Sequence, residues 1–478
     1  MLTFLFCRGT YYMLENLKEL IMGGRKFLPI FEGGKGIGIS TGITAGHFAC
    51  SGCVGTFSGV NPDLIDGNGK TVRVLLKART RLERHLEMIQ NSINGIISHA
   101  KTARDIASNF GRIHMNVLWE MGGTEKILVN TLSKLKGVVQ GVACGAGLPY
   151  KLGDICAKFR VNYLPIVSSL RAFRVLWKKS YERTKEWLGA VIYECPWRAG
   201  GHNGFTHAEN PAVKGNTYER VKELRSFMNE AGLRDIPVVV AGGVWNLKEY
   251  EHFLNNPDIG DVAFQFGTRP LLTRESPISD EWKNKLLKLS PEDIKLNNFS
   301  PTGFYSLAIN NVFLKELFDR SARQIVYSDL YSGEFNSKFK ISNGSTVFIR
   351  ENDLEISNNW FNGDHSVVVK TPEGTILFLR PDEFEDLKKD IRECSGCLSQ
   401  CQFSCWQQSA KNYSSGRIPD FRKMCIQKAL QNAKNNENTP KQLYFAGSEA
   451  YRFATDPMYK NGYIPTISEL VKALLDGR

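Results

Sequence analysis

Between Phe27 and Phe266 a short β-type run followed by a helical stretch recurs eight times, and this alternation restricts the fold more than any other feature of the chain. The runs are 27–31, 53–57, 113–118, 138–143, 161–167, 190–195, 236–241 and 262–266. Amphipathic stretches lie between them, at 79–107, 125–135, 170–187, 218–231 and 247–254. A helix between successive strands carries the chain back across the sheet, so neighbouring strands run parallel. Eight such units are the number that closes a barrel with its helices outside. The expected fold is α/β, a (β/α)8 TIM barrel.

A single core stops growing near ~250–300 residues, so a chain of 478 residues must hold more than the barrel. Residues 1–326 are assigned to it, with 300–326 as one further helical region packed outside. Residues 58–78 read as an insertion on the active face, placed to act as a lid. From 327 to 383 the pattern changes to four β-type segments, 338–341, 345–350, 366–371 and 375–378, separated by Asn-Gly, Asn-Asp and Glu-Gly pairs. That pattern predicts a small β domain. Residues 384–478 form a cysteine-rich tail with five cysteines and a helix from Ile467 to the end. No internal repeat is evident.

Hydrophobic residues at 42% and charged ones at 23% suit a protein that buries a real core. The net charge of +12 would suit an acidic partner, but Lys and Arg are scattered and form no block, so no nucleic-acid partner is expected. No run of ~18 apolar residues predicts a membrane span. Met1–Cys7 is apolar but too short for a secretory core and is followed by Arg8. A cytoplasmic setting is expected, in which the eleven cysteines serve as thiols or metal ligands rather than disulfides.

In such a barrel the carboxyl ends of the strands carry the site, and the loops after strands seven and eight commonly hold phosphate. Here those loops are Ala241-Gly242-Gly243-Val244 and Gln265-Phe266-Gly267-Thr268-Arg269. Glycine lets backbone N–H groups approach a phosphate closely. The first strand ends in Glu32-Gly33-Gly34-Lys35-Gly36-Ile37-Gly38, which matches neither the P-loop nor the dinucleotide fingerprint. It suggests backbone lying flat against a planar ring, with Lys35 near the ring's electron-rich edge. The sixth strand leads into Arg198-Ala199-Gly200-Gly201-His202-Asn203-Gly204. A loop histidine is ordinarily a surface residue, but one just past a strand end among glycines can reach over the barrel mouth as acid or base. Cys144, at the fourth strand's end, reads as a small buried cysteine rather than a nucleophile.

These segments carry a family resemblance. Pro29-Ile30, the Gly33–Gly38 loop, Gly52-Cys53-Val54-Gly55, Asn116, Gly145-Ala146-Gly147-Leu148-Pro149, Ala199 to Gly204, Pro237 to Gly243 and Gln265 to Arg269 together resemble the nitronate monooxygenase or 2-nitropropane dioxygenase family, in order and spacing over about 300 residues. The resemblance implies an FMN cofactor whose phosphate is held by Gly242, Gly243, Gly267 and Thr268, with Gln265 nearby. It places Gly33, Gly34 and Lys35 at the isoalloxazine and Asn116 and Gly201 in the flavin pocket. Lys35 stands where many members place methionine. His202 falls on the catalytic histidine that assists deprotonation of the nitro compound. The implied reaction is oxidation of an alkyl nitronate with O2 to a carbonyl compound and nitrite.

The same superfamily includes FMN-dependent enoyl-acyl-carrier-protein reductases and NADH:quinone reductases, which Gly145 to Pro149 resembles at least as closely. An NAD(P)H-dependent reductase acting on an enoyl thioester or quinone is therefore the alternative reading. A third is an FMN-binding subunit whose β domain and tail serve a partner such as an acyl carrier protein.

The tail cysteines, Cys394-x2-Cys397-x3-Cys401-x3-Cys405 with Cys425 beyond, are a feature typical members lack. Their spacing would put them on one face of a helix, but Gly396 and the Ser-Gln neighbours make a helix unattractive. Zinc usually wants two cysteine pairs set further apart. Three close cysteines and a distant fourth resemble the iron–sulfur ligation of several flavin-containing barrel reductases, with Cys394, Cys397, Cys401 and Cys425 as the set. An iron–sulfur cluster, zinc and plain thiols all stay open, and a cluster would favour a reductase.

Overall fold

Every expected strand has a counterpart in the computed structural model, which describes residues 14–66, 70–205, 209–434 and 442–478. They are β1 (Ile30–Glu32), β2 (Val54–Ser58), β3 (Arg112–Leu118), β4 (Gly141–Gly145), β5 (Asn162–Val167), β6 (Val191–Glu194), β7 (Val238–Ala241) and β8 (Val262–Phe266). They close into a parallel barrel in sequential order. Phe31, Val54, Ala143, Leu164, Ile192, Val239, Ala241 and Ala263 fill its interior. Side chains of alternate parity face the surrounding helices. Because side chains alternate, the last inward positions before the carboxyl ends are Asn116, Ile166, Glu194, Ala241 and Gln265, which form the floor of whatever lies above.

The first run splits at Pro29. Phe27 belongs to a hairpin of Leu20–Met22 and Arg25–Phe27 that packs against the barrel interior, and Ile30 begins the barrel. The longest helix, Arg81–Ala107, starts at a reciprocal cap between Thr80 and Glu83 and ends where Ser108 turns left-handed. Its Met88, Ile89, Ile93, Ile96 and Ala100 recur at helical spacing and are buried against the barrel, each larger side chain contributing about 1.5–3 kcal/mol.

Four expectations need correction. Residues 300–326 are not one helical region. Pro301 and Gly303, the latter at φ +81, break the helix, and the chain forms β9 (Ile294–Asn297) and β10 (Ser306–Ile309) before a helix at Val312–Ala322. The short strand Gly201–His202 pairs with β10. The segment read as a β domain is two hairpin–helix units: Ser337–Lys340 and Thr346–Ile349 followed by helix Glu351–Asn362, then Val367–Lys370 and Thr375–Leu379 followed by helix Pro381–Arg392. Gly344 and Gly374, like Arg350 and Arg380, stand thirty residues apart at equivalent points, so the chain does hold an internal repeat. Lys340 and Lys370, and Phe348 and Phe378, match within the strands as well, although the two hairpins pack differently: the second pairs with Gln324–Val326 and the first stands as a separate two-stranded sheet. Cys50 is disulfide-bonded, against the expectation of thiols throughout, while the other nine described cysteines are free.

The last helix, Ile467–Leu475, returns to the barrel and buries Ile467, Leu470, Val471 and Leu474 in its outer core. Among the described residues no helix is long and apolar enough to cross a membrane. Met1–Cys7 lies outside the described residues.

Candidate active site

A cavity of about 1000 Å³ opens above the barrel floor. All eleven predicted cofactor and catalytic positions line it: Gly33, Gly34, Lys35, Asn116, Gly201, His202, Gly242, Gly243, Gln265, Gly267 and Thr268. Its opposite wall comes from residues beyond the barrel, including Leu398, Ile426, Leu430 and Leu443–Gly447.

Two glycine-containing loops build one end of the cavity. Gly242 and Gly243 both take left-handed backbone angles, φ +82 and +79, which glycine alone adopts without strain. Among the described residues, the N–H groups of Gly242, Gly243, Gly267 and Thr268 have no hydrogen-bond acceptor in the protein. All four residues are half-buried on the cavity wall, so these donors are open to whatever enters it. Nothing lies within 4 Å of where a side chain on Gly267 would begin, whereas one on Gly243 would meet Arg198 at 2.4 Å. Arg198 thus lies across the loop after β7. Gly447 closes the end from outside, its N–H donating to Thr268 Oγ1 at 3.0 Å.

At the other loop a side chain on Gly34 would stand 2.2 Å from Asn116 Cβ, so the backbone lies directly on Asn116. Lys35 Nζ donates to Gly33 O at 2.8 Å and to Glu32 Oε1 at 3.1 Å. Glu32 is fully buried and also accepts from Thr44 Oγ1 at 2.9 Å and from Thr56 N at 3.3 Å. Burial raises the Glu32 carboxyl against the pull of Lys35 and lowers the Lys35 ammonium against the pull of Glu32. The pair fixes the ammonium at the cavity edge.

His202 is held from two sides that the sequence did not indicate. Its Nε2 lies 2.6 Å from Ser300 Oγ, which in turn lies 2.8 Å from Thr302 Oγ1. Phe445, from the chain beyond the barrel, packs edge-on against the imidazole with ring centroids 5.5 Å apart. Burial pushes the His202 imidazole down to about 4, so the ring is neutral at physiological pH and able to take a proton. Beside it Asn203 is fully buried and lines the cavity with both amide atoms unpartnered among the described residues.

Glu194 is the other unassigned group. It faces the enclosed cavity, and desolvation pushes its carboxyl up to about 7. The group is therefore neutral below that pH and anionic above it. Binding of a small carboxylate is expected to weaken as pH rises through about 7 in the wild type. The dependence should vanish in Glu194→Gln; dissociation constants between pH 6 and 8 check it, and a pH-dependent Glu194→Gln would reject the assignment.

The tail cysteines lie near one another and make polar contacts within the protein. Cys397 has Cys425, Cys401 and Cys394 as neighbours, and burial first, then those thiols, hold it well above the usual range. Cys394 Sγ, however, contacts Ser404 Oγ at 3.2 Å and accepts from Gly396 N, and Cys401 Sγ accepts from Ser404 N. Among the described residues no group of three or more His, Cys, Asp or Glu is arranged to hold a metal ion. The iron–sulfur and zinc expectations thus find no support. Of the four, only Cys397 reaches the cavity. Cys144 is buried, and desolvation raises its thiol well above the ordinary value, as expected of an inert core cysteine.

Residues 28–476 match the family model described as Nitronate monooxygenase. Among solved structures, the chain is similar to the enoyl reductase domain of MlnA from the macrolactin biosynthesis cluster of Bacillus amyloliquefaciens, at 13% identity over 94% of this chain and 93% of that one, with a TM-score of 0.56. It is also similar to FabK from Thermotoga maritima (14% identity, 94% and 92% covered, TM-score 0.47). A third similarity is to nitroalkane oxidase from Streptomyces ansochromogenes (18%, 60% and 78% covered, TM-score 0.43). At these identities the likeness is one of fold alone. No curated protein matches the sequence.

Proposed function

This chain belongs to the nitronate monooxygenase family, and on that premise we propose that it is an FMN-dependent oxidoreductase that oxidises alkyl nitronates with O2 to a carbonyl compound and nitrite. The observation that carries the reading is a half-buried histidine, held neutral by desolvation, that shares one cavity with the backbone N–H groups of the two glycine loops.

The residues fit the cofactor. Gly242, Gly243, Gly267 and Thr268 would hold the FMN phosphate through their free N–H groups, with Arg198 alongside adding charge. Gly33, Gly34, Asn116 and Gly201 would flank the flavin ring, with Gln265 on the floor beneath and Lys35 at the edge. The chemistry FMN supplies when bound is electron transfer from the substrate carbon onward to O2.

The protein's own groups handle the proton and the charge. His202, neutral and oriented by Ser300 and Phe445, takes the proton from the carbon next to the nitro group when a nitroalkane rather than its nitronate enters. Lys35, kept in place by Glu32, faces the anionic substrate. Glu194 carries no charge below about pH 7 and so does not repel that anion. The wall beyond the barrel excludes water from the reacting atoms.

Anaerobic stopped-flow mixing tests the reading. Propyl nitronate alone is expected to bleach the flavin band, and admission of O2 to release nitrite. A flavin reduced by NADH or NADPH but indifferent to the nitronate would replace this reading with that of a pyridine-nucleotide-dependent reductase acting on an enoyl thioester or quinone.

A further inference from the structure

The cavity has two ends of different chemistry. One is the polar end made by the glycine loops and Arg198. The other begins at His202 and runs along Phe445 to a lobe lined by Val60, Met121, Leu398, Ile426, Leu430 and Leu443. Five of these six side chains are buried and the sixth, Leu430, is half-buried. Phe445 packs both on the histidine ring and against the cluster that contains Leu398, Ile426 and Leu443, so the lobe continues directly from the reacting end.

The lobe is a built wall. The chain beyond the barrel is tied to the loop after β3 by the bonds Gly122 N to Cys397 O at 2.9 Å and Ser399 N to Glu120 O at 2.7 Å. It is tied to the loop after β2 by Asn61 Nδ2 to Gln427 Oε1 at 2.8 Å. That last bond also satisfies the two polar side chains nearest the apolar residues, and Asn61 Oδ1 accepts from Ser92 Oγ. Aliphatic carbon and a thioether dominate this side, and the charged groups on the same wall are engaged within the protein: Lys423 Nζ donates to Asn298 O at 2.6 Å and Glu373 accepts from Arg422.

A single-ligand pocket usually holds ~300–1000 Å³. At about 1000 Å³ this one has room for a cofactor and a second, elongated occupant. A substrate of three carbons would leave the aliphatic lobe without contacts. Resting on the nitronate reading above, we propose that the substrate carries an unbranched alkyl chain, which lies in this lobe while the nitronate group sits at His202.

The test uses the FMN-loaded protein and a series of n-alkanoates, acetate to decanoate, as stand-ins for nitronates that cannot be oxidised. Dissociation constants are read from the flavin absorbance change at pH 6, where Glu194 is protonated. Each added methylene is expected to tighten binding about fourfold, the equivalent of about 0.8 kcal/mol per buried CH2, until the lobe is full. In Leu430→Trp, which fills the lobe, the plateau should arrive several carbons earlier. A flat series in the wild type overturns the proposal, and so does a series that Leu430→Trp leaves unchanged. The outcome is independent of turnover. Length-dependent alkanoate binding without any flavin reduction by nitronates would leave the lobe assigned and remove the nitronate reaction, and nitronate oxidation with a flat series would do the reverse.

Discussion

Replacing His202 by alanine is expected to lower kcat/KM for a nitroalkane by about 10²–10⁴, the usual contribution of a positioned acid or base, while FMN stays bound. The two effects separate because the histidine and the phosphate loops are different elements: His202 is pinned by Ser300 and Phe445, whereas Gly242, Gly243, Gly267 and Thr268 follow β7 and β8. A preformed nitronate has already lost its proton, so the same variant should lose far less with it. The ratio of the two substrates therefore isolates the proton step from any general damage to the site. The wild-type pH profile adds a second readout. A base whose pKa is lowered to about 4 is unprotonated above that value and is lost as the pH falls through it. Activity on the nitroalkane should then persist well below pH 6.5, where an ordinary histidine would be half protonated. Turnover of the nitroalkane near the wild-type rate, with FMN bound, would remove His202 from the mechanism.

The contrast between what the sequence displayed and what it concealed follows from the range of the interactions involved. The barrel was legible because its signal is local: an alternation of strand and helix needs only hydrophobic periodicity within each segment. The glycine loops that line the cavity were legible because left-handed turns at Gly242 and Gly243 demand glycine at those points. Ser300, Phe445 and Asn203 were not. Ser300 reaches His202 across 98 residues through β9, β10 and the Gly201–His202 strand, a sheet whose strands are short and whose sequence carries Pro301 and Gly303 between them. No periodicity marks such a contact. Phe445 is one phenylalanine among 28, distinguished only by where the chain beyond the barrel folds back. The cysteine spacing is a local pattern that finds no support as a metal centre among the described residues, where Ser404 and Gly396 supply polar contacts of Cys394 and Cys401.

The chain beyond the barrel also explains the end of the Gln265–Arg269 segment. Arg269 does not line the cavity. It is 1% exposed and donates through Nη1 to Trp245 O at 2.7 Å and to Arg478 O at 2.9 Å, while Nη2 lies 3.3 Å from Asp456 Oδ2. Its guanidinium stands over the Trp245 ring at 5.1 Å, and Trp245 Nε1 donates to the same Asp456 oxygen at 2.7 Å. One planar cation thus joins the loop after β7, the Asp456 turn and the last residue of the chain. Arg269→Leu would leave the buried Trp245 carbonyl without this donor and Asp456 without its counter-charge. Removing one partner of a buried ion pair costs about 3–5 kcal/mol, and this loss should appear as a lowered denaturant midpoint in protein stripped of FMN. Arg269→Lys should recover little, because an ammonium cannot serve three acceptors in the geometry of the guanidinium fork. If Arg269 were instead a phosphate ligand, FMN affinity would fall while the stability of the stripped protein stayed within 1 kcal/mol or so of the wild type. That outcome would refute the clamp.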